Sequence, residues 1–445
     1  MHDTKLHRSS HKTVDIIEKV IFFSIVLFSF FLFCICVYNR TLLLSHFSVG
    51  FLQSFMIVAC TTPFIIRLAK KYNVVDVPDE RKHHICPTPL LGGVGIFISF
   101  TLGVLLNTSL GPEVTSIVVG GSIIFVLGVL DDIVGLSSTV RLIGQVAAAL
   151  MVISSGLVVT FTPDTWWGNG LGIAVTIIWI LGIVNTLNFA DGVDGLATGI
   201  AVIAAIFFAL ISSSSGHYEV SLIAIMVIGA GVGFLFFNFK PAKIYLGDSG
   251  STFLGFVLAS VALFGQWSDK GPVIALGIPV LILGLLIFDM CYITVSRVIS
   301  GRVTTVKEWL DYTGRDHFHH RLLDLGLSER QTVVFMYSTC FILGLSALVL
   351  ESSANQFYII ALVLQATGML LNVSVLMIVG RNLASSREML SRELRTEKIL
   401  IDVFNNNVAG ENAFLVEDLS EHAHMNVAEE QKQVVTSVAG DVDNP

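Results

Sequence analysis

The chain has 445 residues, of which 53% are hydrophobic and 13% charged, with a formal net charge of −8. A soluble domain carries about 25% charged residues, so a soluble fold is excluded, and no basic patch suggests a nucleic-acid partner. The acidity is local: residues 409–445 hold Glu411, Glu417, Asp418, Glu421, Glu429, Glu430, Asp441 and Asp443 against Lys432, which marks a separate acidic tail.

Along the chain, apolar runs recur at 20–37, 46–67, 91–107, 114–130, 142–160, 171–188, 196–212, 219–237, 251–266, 273–296, 331–350 and 356–379. About 20 apolar residues cross a bilayer core of about 30 Å. The expected fold is therefore an all-α polytopic integral membrane protein with twelve candidate spans. The first follows a basic leader with Lys5, Arg8 and Lys12, and "FFLFCICVYNR" offers no small-residue cleavage site, so an uncleaved anchor is expected over a signal peptide. The chain divides into 1–45 (leader and extra span), 46–380 (membrane domain) and 381–445 (cytoplasmic segment). In the last, "REMLSRELRTEKILIDVF" is expected to form a short charged helix before a disordered tail. The six cysteines lie mostly in apolar runs and form no CxxC pair, which fits buried thiols. Trp166 and Trp167 fit an interfacial anchor.

Basic residues in short loops mark the cytoplasmic side. Arg67, Lys70, Lys71, Arg81 and Lys82 fall between the second and third spans, and Arg297, Arg302, Lys307, Arg315, Arg321 and Arg330 between the tenth and eleventh. The loops "NTSLGPE", "FTPDTWWGNG", "SSSSGHYE" and "ESSANQ" hold no Lys or Arg. On that map both termini are cytoplasmic, and four polar motifs share the cytoplasmic face: "LDDIVG" (Asp131, Asp132), "NFADGVDG" (Asn188, Asp191, Asp194), "NFKPAKIYLGDSGS" (Asn238, Lys240, Lys243, Asp248) and "GRDHFHHR". Ionisable residues at membrane depth point to function by default, and their sharing one face suggests one composite site.

Five acids and amide oxygens with no Cys ligand suit a hard cation. Mg²⁺ takes oxygen ligands and binds one or two carboxylates together with substrate phosphates, and Mn²⁺ is a reasonable substitute. Nearby Lys82, Lys243, Arg315, His319 and His320 suit a polyanion. Gly192, Gly195, Gly247 and Gly250 allow tight turns and close backbone approach. Asp191 and Asp194, three apart, are expected on one helical face. The residues alone thus describe a Mg²⁺-dependent enzyme handling a diphosphate at a membrane surface. Each motif also has a plain reading: an acidic pair as a solvated helix cap, DGxDG as a turn, and "HFHH" as a zinc site through His317 and His319 or His320. Asp289 either supports the site or pairs with a polar neighbour.

The stretches "VVDVPDERKHHICPTPLLGGVGIF", "LGVLDDIVGLSSTVRLIGQ", "NTLNFADGVDGLATG", "FNFKPAKIYLGDSGSTFLGF" and "GRDHFHHRLLDLGLSERQ" together resemble the polyprenyl-phosphate N-acetylhexosamine-1-phosphate transferases, in family order over roughly residues 50–380. The HxHH form of the last motif is similar to the bacterial branch that moves GlcNAc-1-phosphate from UDP-GlcNAc to undecaprenyl phosphate. The resemblance implies about eleven family helices, so the span at 20–37 is an addition. It implies Asp248 as a Mg²⁺ ligand aided by Asp132 and Asn188, and Asp131, Asp132 and Asp248 as the catalytic acids. It implies a nucleotide and sugar pocket of Asn188, Asp191, Asp194, Asn238, Tyr245, Arg315, His317, His319 and His320. Lys82, His84, Arg141 and Lys243 are implied for the lipid phosphate or diphosphate. A multi-pass inner-membrane location, contact with membrane lipid and a homodimer are all compatible with it. The alternatives are another UDP-HexNAc or a phospho-MurNAc-pentapeptide donor, and, from a different class, an ion-coupled secondary transporter.

Overall fold

From residue 46 onward every apolar run is helical, as it must be where hydrocarbon leaves backbone groups no partner outside the segment. A computed structural model describes residues 46–76, 87–159, 165–268, 271–305, 308–309, 312, 314–352 and 356–408. The leader, the expected span at 20–37, Lys82, His84 and the acidic tail lie outside the described residues. In chain order the elements are α1 (His46–Lys71), β1 (Val75–Asp76), β2 (Thr88–Pro89), α2 (Gly92–Asn107), α3 (Pro112–Val134), α4 (Ser138–Ser154), α5 (Trp166–Ala190), α6 (Leu196–Ser214), α7 (Tyr218–Asn238), α8 (Gly247–Phe264), α9 (Pro272–Ile282), α10 (Gly284–Ile299), α11 (Phe318–Asp324), α12 (Glu329–Ser352) and α13 (Gln356–Val408).

Eight of these helices are long and apolar enough to cross a membrane, nine if α9 and α10 count as one bent span. α2 and α4 are apolar but only 16 and 17 residues long. The chain is thus an all-α polytopic membrane protein, with one addition: β1 and β2 pair antiparallel, Val75 with Pro89 and Asp76 with Thr88. The single span expected at 273–296 is instead broken at Leu283, with α9 and α10 at 81°. α9 runs past Pro279 to Ile282, so the break lies beyond the turn that the proline itself weakens, at the Leu283–Gly284 junction where α10 opens.

Local chemistry sets the other helix ends. Pro112 opens α3 after Gly111, Ser137 Oγ accepts from Val140 N at 3.4 Å to cap α4, and Thr165 Oγ1 accepts from Gly168 N at 3.2 Å to cap α5. Lipid gives helices no hydrophobic reason to associate, so close packing of small residues does that work. α6, α7 and α8 are accordingly rich in Ala, Gly and Ser and mostly buried, whereas α3 carries Val126, Leu130 and Ile133 exposed toward lipid. The described residues up to Met377 form one compact unit. In the second, which begins at Ile378, residues 378–408 are helical as part of α13, so the charged segment before the tail is helix without a break from the last apolar run.

Candidate functional site

The N-terminus of α8 is the centre of the polar end. Gly247 turns the chain with φ of 73° and leaves the first amides of α8 without partners inside the helix. Asp132, from the last turn of α3, meets them: its Oδ1 accepts from Asp248 N at 2.8 Å and its Oδ2 from Ser249 N at 3.1 Å. A carboxylate there also complements the positive end of the helix dipole. The acidic pair is therefore no solvated cap of its own helix; one member caps another helix 116 residues away in sequence. A Cβ on Gly247 would lie 2.7 Å from Asp132 Oδ2, and one on Gly93 would lie 2.3 Å from Gly250 N. Backbone bonds close the same corner: Gly92 N to Tyr245 O at 3.0 Å, Gly93 N to Leu246 O at 2.9 Å and Tyr245 N to Pro89 O at 2.9 Å. Burial, the main cause, lifts the Tyr245 phenol to about 12, so it is neutral at ordinary pH.

Asp248 extends from this cap. Its Oδ1 accepts from Asn188 Nδ2 at 2.7 Å, and the same amide donates to Ser251 Oγ at 2.9 Å. Its Oδ2 lies 3.8 Å from Arg141 Nη1, which also stands 3.1 Å from Asp131 Oδ2. Asp131 Oδ1 accepts from Leu136 N at 2.6 Å and holds the turn after α3. Four residues after Arg141, Gln145 exchanges amide hydrogen bonds with Asn185 of α5 at 2.9 and 3.3 Å. Asp131, Arg141, Gln145 and Asp248 form the polar side of a recess of ≈ 270 Å³, whose apolar side is Ile124 and Leu127.

The turn after α5 carries Asp191 and Asp194. They do not share a helical face as expected: α5 ends at Ala190, Asp191 is its C-cap, and both aspartates lie in the turn, because Gly195 takes φ of 78° and starts α6. Burial and the nearby Asp248 and Asp132 carboxylates push the Asp191 carboxyl well above its ordinary range. Asp194 Oδ2 accepts from Ala242 N at 3.0 Å, tying this turn to the 239–246 loop. Asn238, 2% exposed, is spent inside the fold, with Nδ2 donating to Ile244 O at 3.1 Å and Oδ1 accepting from Thr198 Oγ1 at 3.2 Å. Lys243 is exposed on the same loop.

The "RDHFHH" segment closes the far side. His317 is buried against the Phe189 ring, with centroids 4.6 Å apart. A Cβ on Gly192 would meet His319 Nε2 at 2.9 Å, so α11 abuts the Asp191 turn. Nε2 of His319 and Nδ1 of His320 are shielded and have no hydrogen-bond partner. Burial, then the charges around them, hold His319 well below its ordinary range and bring His320 to about 4. Both are therefore neutral rings in this setting, and Arg315, exposed, supplies the positive charge of the segment. Among the described residues no three His, Cys, Asp or Glu side chains are grouped to hold a metal, which leaves the zinc reading of "HFHH" without support.

Asp131, Asp132, Asn188, Asp191, Asp194, Asp248 and the three histidines thus gather at one end of the bundle, and Arg141 joins them. Gln145, Asn185 and Tyr337 escaped the sequence. Gln145 and Asn185 announce themselves only by lying about a turn from Arg141 and Asn188 on the same helices, and no spacing rule links Tyr337 to Gly195, whose O accepts from its hydroxyl at 2.6 Å. Asp289, which the sequence left open between the site and a polar neighbour, pairs with His317, and Arg297 pairs with Asp316.

Comparison with known proteins agrees with this arrangement. Residues 114–266 match the model of glycosyl transferase family 4. A probable undecaprenyl-phosphate N-acetylglucosaminyl 1-phosphate transferase of Bacillus subtilis is 37% identical over 311 residues, 68% of this chain and 85% of that protein. A decaprenyl-phosphate N-acetylglucosaminephosphotransferase of Mycobacterium tuberculosis is 31% identical over 324 residues, 65% of this chain and 78% of that protein. A phospho-N-acetylmuramoyl-pentapeptide-transferase of Bacillus subtilis is 28% identical over 325 residues, 68% of this chain and 96% of that protein. With its helical scaffold, its acid cluster at one end and these relatives, the chain belongs to glycosyl transferase family 4.

Proposed function

We propose that the protein transfers GlcNAc-1-phosphate from UDP-GlcNAc to undecaprenyl phosphate, releasing UMP and forming undecaprenyl-diphospho-GlcNAc, at the cytoplasmic face of the inner membrane. The observation that carries this reading is the α8 N-terminus, where Asp248, Asn188, Asp132, Asp131 and Arg141 converge beside a half-apolar recess. The 37% identity to the undecaprenyl-phosphate enzyme of Bacillus subtilis supports the same substrates. A carrier would be expected to place its polar site near the bilayer midplane on broken helices. Here Asp131, Asp132, Asp191 and Asp248 stand at the ends of α3, α5 and α8, and the acid of the broken pair α9–α10, Asp289, is bonded to His317 and the Phe318 backbone.

The donor set fits Mg²⁺. It is all oxygen, Asp248 keeps one carboxylate oxygen in a looser contact with Arg141, and burial together with the nearby Asp248 and Asp132 carboxylates pushes the Asp191 carboxyl upward, as expected where a compensating cation belongs. Mg²⁺ binds few protein carboxylates when substrate phosphates complete its shell, so no ready-made cage is required. Asp248 would hold it with support from Asp132 and Asn188, and Mn²⁺ could replace it. The ion supplies positive charge for the diphosphate.

In the reaction an oxygen of the lipid phosphate bonds to the β-phosphorus of UDP-GlcNAc, and the bond from that phosphorus to the bridging oxygen of UMP breaks. A phosphate monoester has its second pKa near 6, so the nucleophile is already largely deprotonated and needs no strong base. Catalysis then rests on placement and charge. Arg141 is placed to receive the lipid phosphate at the mouth of the recess. Asp131 orients Arg141, and Asp132 fixes the α8 terminus that carries Asp248. Neutral His319 and His320 offer ring N–H donors to the sugar diphosphate, and Arg315 a charge. The polyprenyl tail stays in lipid while its phosphate reaches the polar end. Purified protein with undecaprenyl phosphate, Mg²⁺ and a panel of UDP-sugars, scored for UMP, tests the reading. UMP from UDP-GlcNAc is the expected result, preference for another UDP-HexNAc or the muramoyl-pentapeptide donor would change the sugar, and no UMP from any donor sinks the enzyme.

A further inference from the structure

Helix α10 holds the "DHF" segment from one side. Asp289, buried in that helix, accepts through Oδ2 from Nδ1 of His317 at 2.9 Å and through Oδ1 from the backbone N–H of Phe318 at 2.9 Å. Two turns further, Arg297 is 3% exposed and grips Asp316 with Nε at 2.8 Å and Nη2 at 2.6 Å. The same guanidinium lies 4.4 Å from the Tyr312 ring centroid. Three consecutive residues, 316–318, are therefore pinned by one helix.

The pins have a specific consequence. α11 is seven residues long, too short to hold itself in water, and its N-cap residue His317 makes no side-chain cap bond. Asp289 supplies the missing acceptor from another helix. The contact between Nδ1 and the carboxylate fixes the orientation of the His317 ring. One turn on stand the unpartnered ring nitrogens of His319 and His320, the former against Gly192 beside Asp191.

We propose that Asp289 and Arg297 are positioning residues for the donor half of the site, holding residues 316–318 so that α11 presents His319 and His320 to the diphosphate of the sugar nucleotide. This rests on the transferase reading above. A buried ion pair can instead be a purely structural element with little net value, and the two roles differ in what they move. Positioning acts on one substrate and through one histidine; a structural role acts on everything.

The test compares Asp289→Asn, His317→Asn and the double variant in the full chain, with UMP release measured while each substrate is varied, melting temperature in detergent, and direct binding of UDP by calorimetry. Asp289→Asn should raise the KM for the sugar nucleotide about tenfold, leave the KM for the lipid phosphate within about twofold, and cost no more when combined with His317→Asn than the worse single change. Asp289→Glu should restore part of the loss. Additive losses, an equal rise in both KM values or wild-type kinetics overturns the proposal. Should Asp289→Asn fail to fold, Arg297→Lys, which keeps the charge but loses the fork, decides by the same split. If the unaltered protein releases no UMP from any donor, the transferase reading fails; UDP binding that Asp289→Asn leaves unchanged defeats the positioning role separately.

Discussion

At the scale of single residues, the two acids of the Asp131–Asp132 pair do different work, and substitution should separate them from Asp248. Asp132→Asn keeps the shape but turns one amide hydrogen toward a backbone N–H of α8, leaving a buried donor unpaired at a cost of about 1–3 kcal/mol. It should lower the melting temperature and UMP release together. Asp248→Ala removes no cap, because its backbone N–H stays bonded to Asp132. It should cut UMP release roughly tenfold or more with little change in melting; activity near wild type would show that the metal site is misplaced. Protonation adds a second residue-scale prediction. His319 and His320 are neutral when folded, His320 down to about 4, whereas an unfolded histidine titrates near 6.5. The unfolded chain therefore binds more protons between those values, so stability is whole above about pH 6.5 and declines as pH falls toward 4. Asp316 opens a second loss lower down. Its burial opposes charge, but the Arg297 hydrogen bonds and charge hold its carboxyl below the ordinary range, and the stability this lends disappears as pH drops through that depressed value. Melting temperature in detergent should slope down through the first window, and His320→Asn should flatten the slope. An unchanged slope in that variant assigns the effect elsewhere.

At the scale of elements, the site is a set of helix ends held by contacts that cross the bundle. The turn 191–195 is fixed from three sides: Asp194 to Ala242 N, His319 over Gly192, and Tyr337 Oη to Gly195 O. Tyr337→Phe deletes only the last and leaves the ring in place. The loss should be about 0.5–1.5 kcal/mol of stability, with a raised KM for the sugar nucleotide and an unaltered one for the lipid phosphate; equal changes in both would detach this turn from the donor pocket. Helices were legible in the sequence because lipid demands an apolar run of fixed length. Their integrity was not. Pro63 sits inside α1 and Pro279 inside α9, yet α1 runs unbroken for 26 residues while the span expected at 273–296 parts by 81° at Leu283. Neighbouring helices and local hydrogen bonding decide whether a membrane proline is absorbed, and those neighbours are invisible in the local residues.

For the whole molecule, counting spans was enough to bring four motifs to one end, because each crossing reverses direction and only parity matters. That parity correctly joined Asp131, Asn188, Asp248 and His319. It could not say that Asp132 would cap α8 or that Asn188 would face Asp248, since those pairings depend on register between helices 116 and 60 residues apart in sequence. The same parity makes a prediction about orientation. The site end carries Arg67, Lys70, Lys71, Arg141, Lys240, Lys243 and Arg330, while the loop between α2 and α3 and the loop between α6 and α7 have none. Basic residues are retained on the cytoplasmic side, so the site should face the cytoplasm. Ser214 ends α6 at the opposite end and Ser328 precedes α12 at the site end, and both are exposed. In a background freed of native cysteines, Ser214→Cys should react with an impermeant maleimide on intact cells, and Ser328→Cys only after the membrane is opened. The reverse pattern would turn the site outward, where a cytoplasmic sugar nucleotide could not reach Asp248 and the proposed reaction would have no donor.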